Sequence, residues 1–200
     1  MKRLLGGWLF CAALLTISAC SMFSTPRKDV FYRLPEVATS AAVIATTGPL
    51  VYVPPFAASG LHGERAVVYA HDDGTALEQY TYDYWVDSPR LLLQQALVDR
   101  LRASGARRVV MEPSVDAGYT VRGRIRKFEK RDAAKGATAE VSLEFELLAA
   151  DAEVPEFARA YQRTVAVSGD AMANSAAALG QAAQDIVAEF VTDLDGHWGP

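Results

Sequence analysis

Hydrophobic and polar residues alternate with a period of two in several stretches and recur every three to four residues in two others. The first pattern predicts strands and the second helices. Residues 31–34 read as a short strand, and residues 49–53 as another that stops at Pro54-Pro55, because proline cannot donate to a ladder. Residues 65–71 are apolar in the middle and end at the turn signal Asp72-Asp73-Gly74. Residues 77–86 alternate, with Tyr80, Tyr82 and Tyr84 on one face and Thr81, Asp83 and Trp85 on the other. A strand at 107–111 precedes a long hairpin, 119–130 and 138–150, and residues 157–167 add a further strand. The second arm of the hairpin turns Ala139, Val141, Leu143, Phe145 and Leu147 inward, leaving Glu140, Ser142, Glu144 and Glu146 outward. The first arm turns Tyr119, Val121 and Ile125 inward, with Arg122, Arg124 and Arg126 outward.

The first helix is framed by Ser88, whose hydroxyl is expected to cap it, and by Pro89 at the first helical position. Leu93, Leu97 and Leu101 form its stripe, widened by Leu92 and Val98, and Gly105 closes it in the left-handed conformation. The second helix runs from about residue 170 to 194, with Leu179, Ala183, Ile186, Phe190 and Leu194 on one face. Alanines at 171, 173, 176, 177 and 178 let its first turns approach a neighbour closely. These elements predict an α+β fold: a single mixed, mainly antiparallel sheet with two long amphipathic helices packed on it.

The N-terminus has a different character. Met1-Lys2-Arg3 is basic, residues 4–17 are uncharged and apolar, and Ser18-Ala19 place small residues before Cys20. That is a secretory signal, too short to span a bilayer. Ile17-Ser18-Ala19-Cys20 also matches the bacterial lipobox, so Cys20 is expected to be acylated and to become the mature N-terminus. The chain then divides into a removed signal (1–19), a lipidated tether (20–29), one periplasmic domain (30–196) and a tail (197–200). Cleavage takes Lys+Arg from 20 to 18 against 24 acidic residues, a net charge near −6. Such a chain has no electrostatic attraction to nucleic acid, and its hold on a membrane comes from acyl chains. Cys11 leaves with the signal and Cys20 is consumed by lipid, which excludes disulfides and thiolate metal sites from the domain.

Candidate chemistry is sparse. His62, His71 and His197 have no metal-binding spacing and read as surface residues. No nucleophile elbow or phosphate-binding glycine loop occurs, so no catalytic, metal or cofactor site is expected. Arg122, Arg124 and Arg126 form a basic stripe that a ligand could use. Pairing Arg124 with Glu144 and Arg122 with Glu146 across the hairpin keeps odd positions with odd and neutralises the stripe internally. Tyr80, Tyr82, Tyr84 and Trp85 read as a half-buried sheet face, and are the candidate partner contacts because these side chains join large area to a polar handle.

Several motifs in order carry a resemblance. They are the lipobox followed by Phe31-Tyr32-Arg33-Leu34, then Val51-Tyr52-Val53-Pro54, then Arg65-Ala66-Val67-Val68-Tyr69 leading to Tyr84-Trp85 and Pro89-Arg90-Leu91-Leu92. Tyr119-Thr120-Val121-Arg122 through Lys127-Phe128-Glu129 and the alanine-rich final helix complete the set. The chain thus resembles the ABC-type transport auxiliary lipoproteins, outer-membrane components accompanying MCE-type lipid transport systems. Where members often follow the Trp with a small residue, an acid and Pro-Leu, this chain has Val86-Asp87-Ser88-Pro89. The resemblance implies a non-catalytic protein without cofactor, anchored on the periplasmic face of the outer membrane. It implies docking to an MCE-type periplasmic protein and, through it, to an ABC permease and ATPase; homo-oligomerisation stays open. The alternative is a free-standing periplasmic ligand-binding lipoprotein with an apolar pocket.

Overall fold

The computed structural model describes residues 26–36, 45, 48–71, 73–105, 107–134 and 136–198. Cys20 and the signal segment lie outside them. Among the described residues nine strands form one sheet: β1 (Val30–Tyr32), β2 (Leu50–Tyr52), β3 (Ala57–Ala58), β4 (Ala66–Ala70), β5 (Leu77–Trp85), β6 (Arg108–Val110), β7 (Tyr119–Ala133), β8 (Gly136–Ala149) and β9 (Phe157–Ala166). A 3-10 turn occupies Gly60–Gly63, and the helices are α1 (Pro89–Ala103) and α2 (Met172–Trp198).

β7 is the spine of this sheet. Along one edge it carries β8, and β8 in turn carries β9, in long antiparallel ladders. Along its other edge β2, β3 and β4 follow one another end to end, each parallel to it over two residues. β5 extends the sheet from β4, β1 from β5, and β6 from β2. The mixed sheet is therefore antiparallel in its hairpins and parallel everywhere else. Its parallel pairings join short strands far apart in sequence, which the alternation pattern does not register; β3 went unpredicted for the same reason.

The hairpin register agrees with the expected one, Arg122 opposite Glu146 and Arg124 opposite Glu144. It holds only as far as Ile125. A bulge at Arg126 then shifts the pairing to Lys127 with Ser142 and Phe128 with Val141, so odd no longer meets odd. Phe128 turns into the core against Trp85, ring centroids 5.1 Å apart.

Both helices lie on the same face of the sheet and against each other. α2 buries Leu179, Ala183, Ile186, Phe190 and Leu194, the expected stripe. It continues to Trp198, so residues 197–198 are helix rather than tail, and Trp198 packs on Tyr119 and beneath the Arg107 guanidinium. α1 buries Leu93, Leu97, Val98 and Leu101, but its inner face also holds Gln94, which donates to the Val53 carbonyl at 2.7 Å. Ser88 stands at the N-cap with extended backbone, yet its hydroxyl makes no cap bond; its carbonyl accepts from Leu91 and Leu92 instead. Gly105 takes φ +71°, the left-handed closure expected.

The link between β2 and β3 is pinned to α1. Arg90 Nε donates to the Phe56 carbonyl at 2.8 Å, and the Phe56 N–H donates to the Arg90 carbonyl. This fixes the Phe56 ring over Gly123, where a Cβ would stand 2.5 Å from ring carbons. Gly123→Val is expected to lower stability by about 1–3 kcal/mol through overpacking. Chemical denaturation of the single variant and of Gly123→Val/Phe56→Leu checks this: the smaller side chain should recover much of the loss.

Candidate functional site

The tyrosine row does not survive as one stripe. The ladder between β4 and β5 slips between Ala66 and Val68, from Ala66 opposite Tyr84 to Val68 opposite Gln79. Each tyrosine then meets a different neighbour. Tyr80 lies against Tyr69, ring centroids 4.6 Å apart, and accepts from Lys130 Nζ at 3.0 Å. Tyr82 is exposed beneath the Arg27 guanidinium, and Tyr84 stacks on Phe31 at 5.7 Å. Trp85 is 1% exposed and belongs to the core, so it offers no surface to a partner.

On the inner side of the same edge, Tyr32 donates to Asp83 Oδ1 at 2.8 Å. Asp83 is buried, with Arg27 3.8 Å from its other oxygen. Burial first, and then the bond to Asp83, push the Tyr32 hydroxyl up to about 12. β1 is thereby held to β5 by a side-chain bond as well as by three ladder positions.

The basic stripe is partly neutralised from within. Arg126 Nε lies 2.7 Å and Arg124 Nε 3.9 Å from Glu144. Arg122 faces Glu146 in the ladder, though among the described residues no carboxylate lies within 4.0 Å of it. Arg122 and Arg124 line a groove of about 210 Å³ with Pro54, Pro55, Glu144 and Glu146, so the groove carries both signs of charge.

A buried charge cluster lies further along the hairpin. The bulge carries Glu129 to a site 3% exposed, directly opposite Glu140 in the ladder. Arg131 reaches both, 2.6 Å from Glu140 and 3.6 Å from Glu129, and Lys127 Nζ donates to Glu140 at 3.0 Å. Burial acts to raise the Glu140 carboxyl, but the bonds from Lys127 and Arg131 outweigh it and hold it below the usual range.

His62 completes the cluster and corrects the expectation of a surface histidine. The 3-10 turn packs it against β7, with Nε2 3.4 Å from Glu129 and Nδ1 buried. His71 and His197 are exposed as expected. Burial and the Lys127 charge lower the His62 pKa more than Glu129 and the Phe128 backbone raise it. A histidine that titrates lower when folded makes the unfolded chain the better proton binder. Its contribution is complete above about pH 6.5 and is lost as pH falls toward the folded value. Unfolding free energy should therefore decline on acidification below pH 6.5, and His62→Gln should flatten that decline; an unchanged slope between pH 6.5 and 5 would refute it.

Among the described residues no three His, Cys, Asp or Glu side chains are grouped to hold a metal ion, and no helix is long and apolar enough to cross a membrane. The grooves at residues 33–36 beside the helices, about 390 Å³, and beside β6, about 430 Å³, are open to solvent.

The molecule is thus of a recognisable class: among the described residues, a one-sheet α+β domain with both helices on one face of the sheet. Residues 32–191 match the family described as the ABC-type transport auxiliary lipoprotein component, and the chain belongs to that family. No curated protein matches it significantly. Among solved structures it is similar to protein XCC0632 from Xanthomonas campestris, with TM-score 0.73 and 19% identity over 84% of this chain and 97% of that one. A protein described only as uncharacterized gives TM-score 0.69 and 17% identity over 84% of this chain and 99% of that one. The PelC dodecamer from Paraburkholderia phytofirmans is more distant, with TM-score 0.51 and 16% identity over 82% and 93%. These likenesses establish the fold.

Proposed function

We propose that this chain is a non-catalytic outer-membrane lipoprotein that docks an MCE/ABC-type lipid transport system across the periplasm. The observation that carries the reading is the family match over residues 32–191, which spans nearly the whole domain. Anchoring through Cys20, on the periplasmic face of the outer membrane, comes from the signal and lipobox at residues 1–20. The partner is an MCE-type periplasmic protein and, through it, a permease and an ATPase. PelC, which shares the fold, crystallised as a dodecamer, and whether this chain also forms a homo-oligomer is left to the test below. The ligand-binding alternative is less favoured, because the two large grooves open to solvent rather than closing around a ligand.

An affinity pull-down of the tagged chain from detergent-solubilised envelope tests docking. The MCE-type protein should co-purify with permease and ATPase, and their consistent absence would refute docking. Native mass spectrometry of the same preparation reads the oligomeric state. Cys20→Ser tests the anchor separately, since serine cannot form the thioether. Membrane fractionation and mass spectrometry should find the variant as unacylated precursor; a matured, membrane-bound variant would remove the lipid anchor from the proposal.

A further inference from the structure

The tether leads directly into an exposed aromatic patch. In the parallel register of β1 with β5, Phe31 lies beside Tyr84, which puts Phe31, Tyr82 and Tyr84 on the sheet face away from the helices. Phe31 is 52% exposed and Tyr82 37%, and Val30 and Val86 are also exposed. Two guanidiniums frame the rings: Arg65 lies 5.6 Å from the Phe31 centroid and Arg27 5.4 Å from that of Tyr82. Lys28, Asp29 and Glu64, which adjoin these residues in sequence, are exposed as well. Asp83 is buried and occupied by Tyr32 and Arg27.

We infer that this β1–β5 edge lies on the surface of the membrane that holds the anchor, its rings at the headgroup level and its basic groups on lipid phosphates. The inference rests on the proposed acylation of Cys20. Two observations select a lipid surface as the occupant. Arg27 lies only seven positions after Cys20, at most about 25 Å of extended chain, so this edge stays near the bilayer. Its chemistry is also that of an interfacial contact, with aromatic side chains beside cations on a protein otherwise acidic overall. Contact through the domain would orient the rest of the fold relative to the membrane, which an acyl anchor alone cannot do.

The test uses acylated protein in vesicles of phosphatidylcholine and phosphatidylglycerol, with Phe31→Trp as reporter. Acyl-brominated lipid should quench the reporter at least twofold more than it quenches the parent protein. Arg27→Gln/Lys28→Gln in the same background should weaken that quenching, while circular dichroism confirms the fold. A reporter that emits as in water and is not quenched, in protein whose acyl mass is confirmed, overturns the membrane contact and leaves the anchor intact. Absence of the acyl mass on Cys20 overturns the anchor itself, and the contact with it. A dimer present without vesicles and abolished by Phe31→Ser would assign the patch to a second copy and likewise overturn the inference.

Discussion

Phe145→Ala is expected to remove about 3–5 kcal/mol of stability, the usual cost of deleting a fully buried phenylalanine. Phe145 is where the layers meet. Its ring stacks on Phe190 of α2, centroids 4.1 Å apart and planes 7° apart. Phe56, from the segment pinned by α1, meets it edge-on at 5.7 Å, and Tyr161 of β9 at 5.8 Å. Truncation thus loses transferred area and leaves a cavity bounded by three aromatic rings. Those rings cannot collapse freely: Phe56 is held by the Arg90 bonds, and Tyr161 donates to Asp193 of α2 at 2.7 Å. Against the roughly 5–15 kcal/mol that stabilises a typical domain, this loss would leave a marginal fold. Phe145→Leu, closer in volume, should cost less than about half as much. Equilibrium urea unfolding decides it; a loss below about 1 kcal/mol for Phe145→Ala would show that the core does not depend on this ring.

Local periodicity accounts for much of the fold. The inward row Val141, Leu143, Phe145 and Leu147 located a strand and fixed its face, because a slip by one residue would bury Glu144 and Glu146. That logic reached the correct partners for Arg122 and Arg124. It ended at Arg126, yet the sequence carries a trace of the break: inward apolar residues are odd through Ile125 and even at Phe128. A parity switch inside one strand is the signature of a bulge, and here it turns Glu129 from the inward row to the side of Glu140, where His62 packs against it. The histidine had no such trace. Gly60-Leu61-His62-Gly63 reads as an exposed loop, and only tertiary packing of the 3-10 turn on β7 encloses it. Parallel pairings of two or three residues are likewise set by the layout of the whole chain. The Tyr82–Tyr84 patch was half legible: alternation placed the rings on one face, but the proximity of Phe31, Arg27 and Arg65 needed the β1–β5 pairing.

The buried hairpin cluster gives the other large expected effect, and charge rather than packing should govern it. Glu129 and Glu140 stand opposite each other in the ladder, an arrangement that destabilises when both are ionised. Arg131 reaches both carboxylates, while Lys127 serves Glu140 and His62 serves Glu129. Arg131→Met keeps most of the side-chain volume and removes the shared cation. Breaking a buried pair in this way costs about 3–5 kcal/mol, and the partial exposure of Arg131 places the expected loss near 3. Arg131→Met/Glu140→Gln should recover a large part of that, because the repulsion it relieves is the main cost. The pH dependence separates charge from packing. Glu140 titrates below its ordinary range when folded, so its stabilisation is present above the unfolded value and is lost as pH falls through the folded one. Arg131→Met abolishes most of that contribution, so wild type and variant should converge as pH falls from about 4.5 toward the depressed folded value. Denaturation curves at both ends of that range read the difference directly, and a gap of constant size would mean that Arg131 acts through its packing instead.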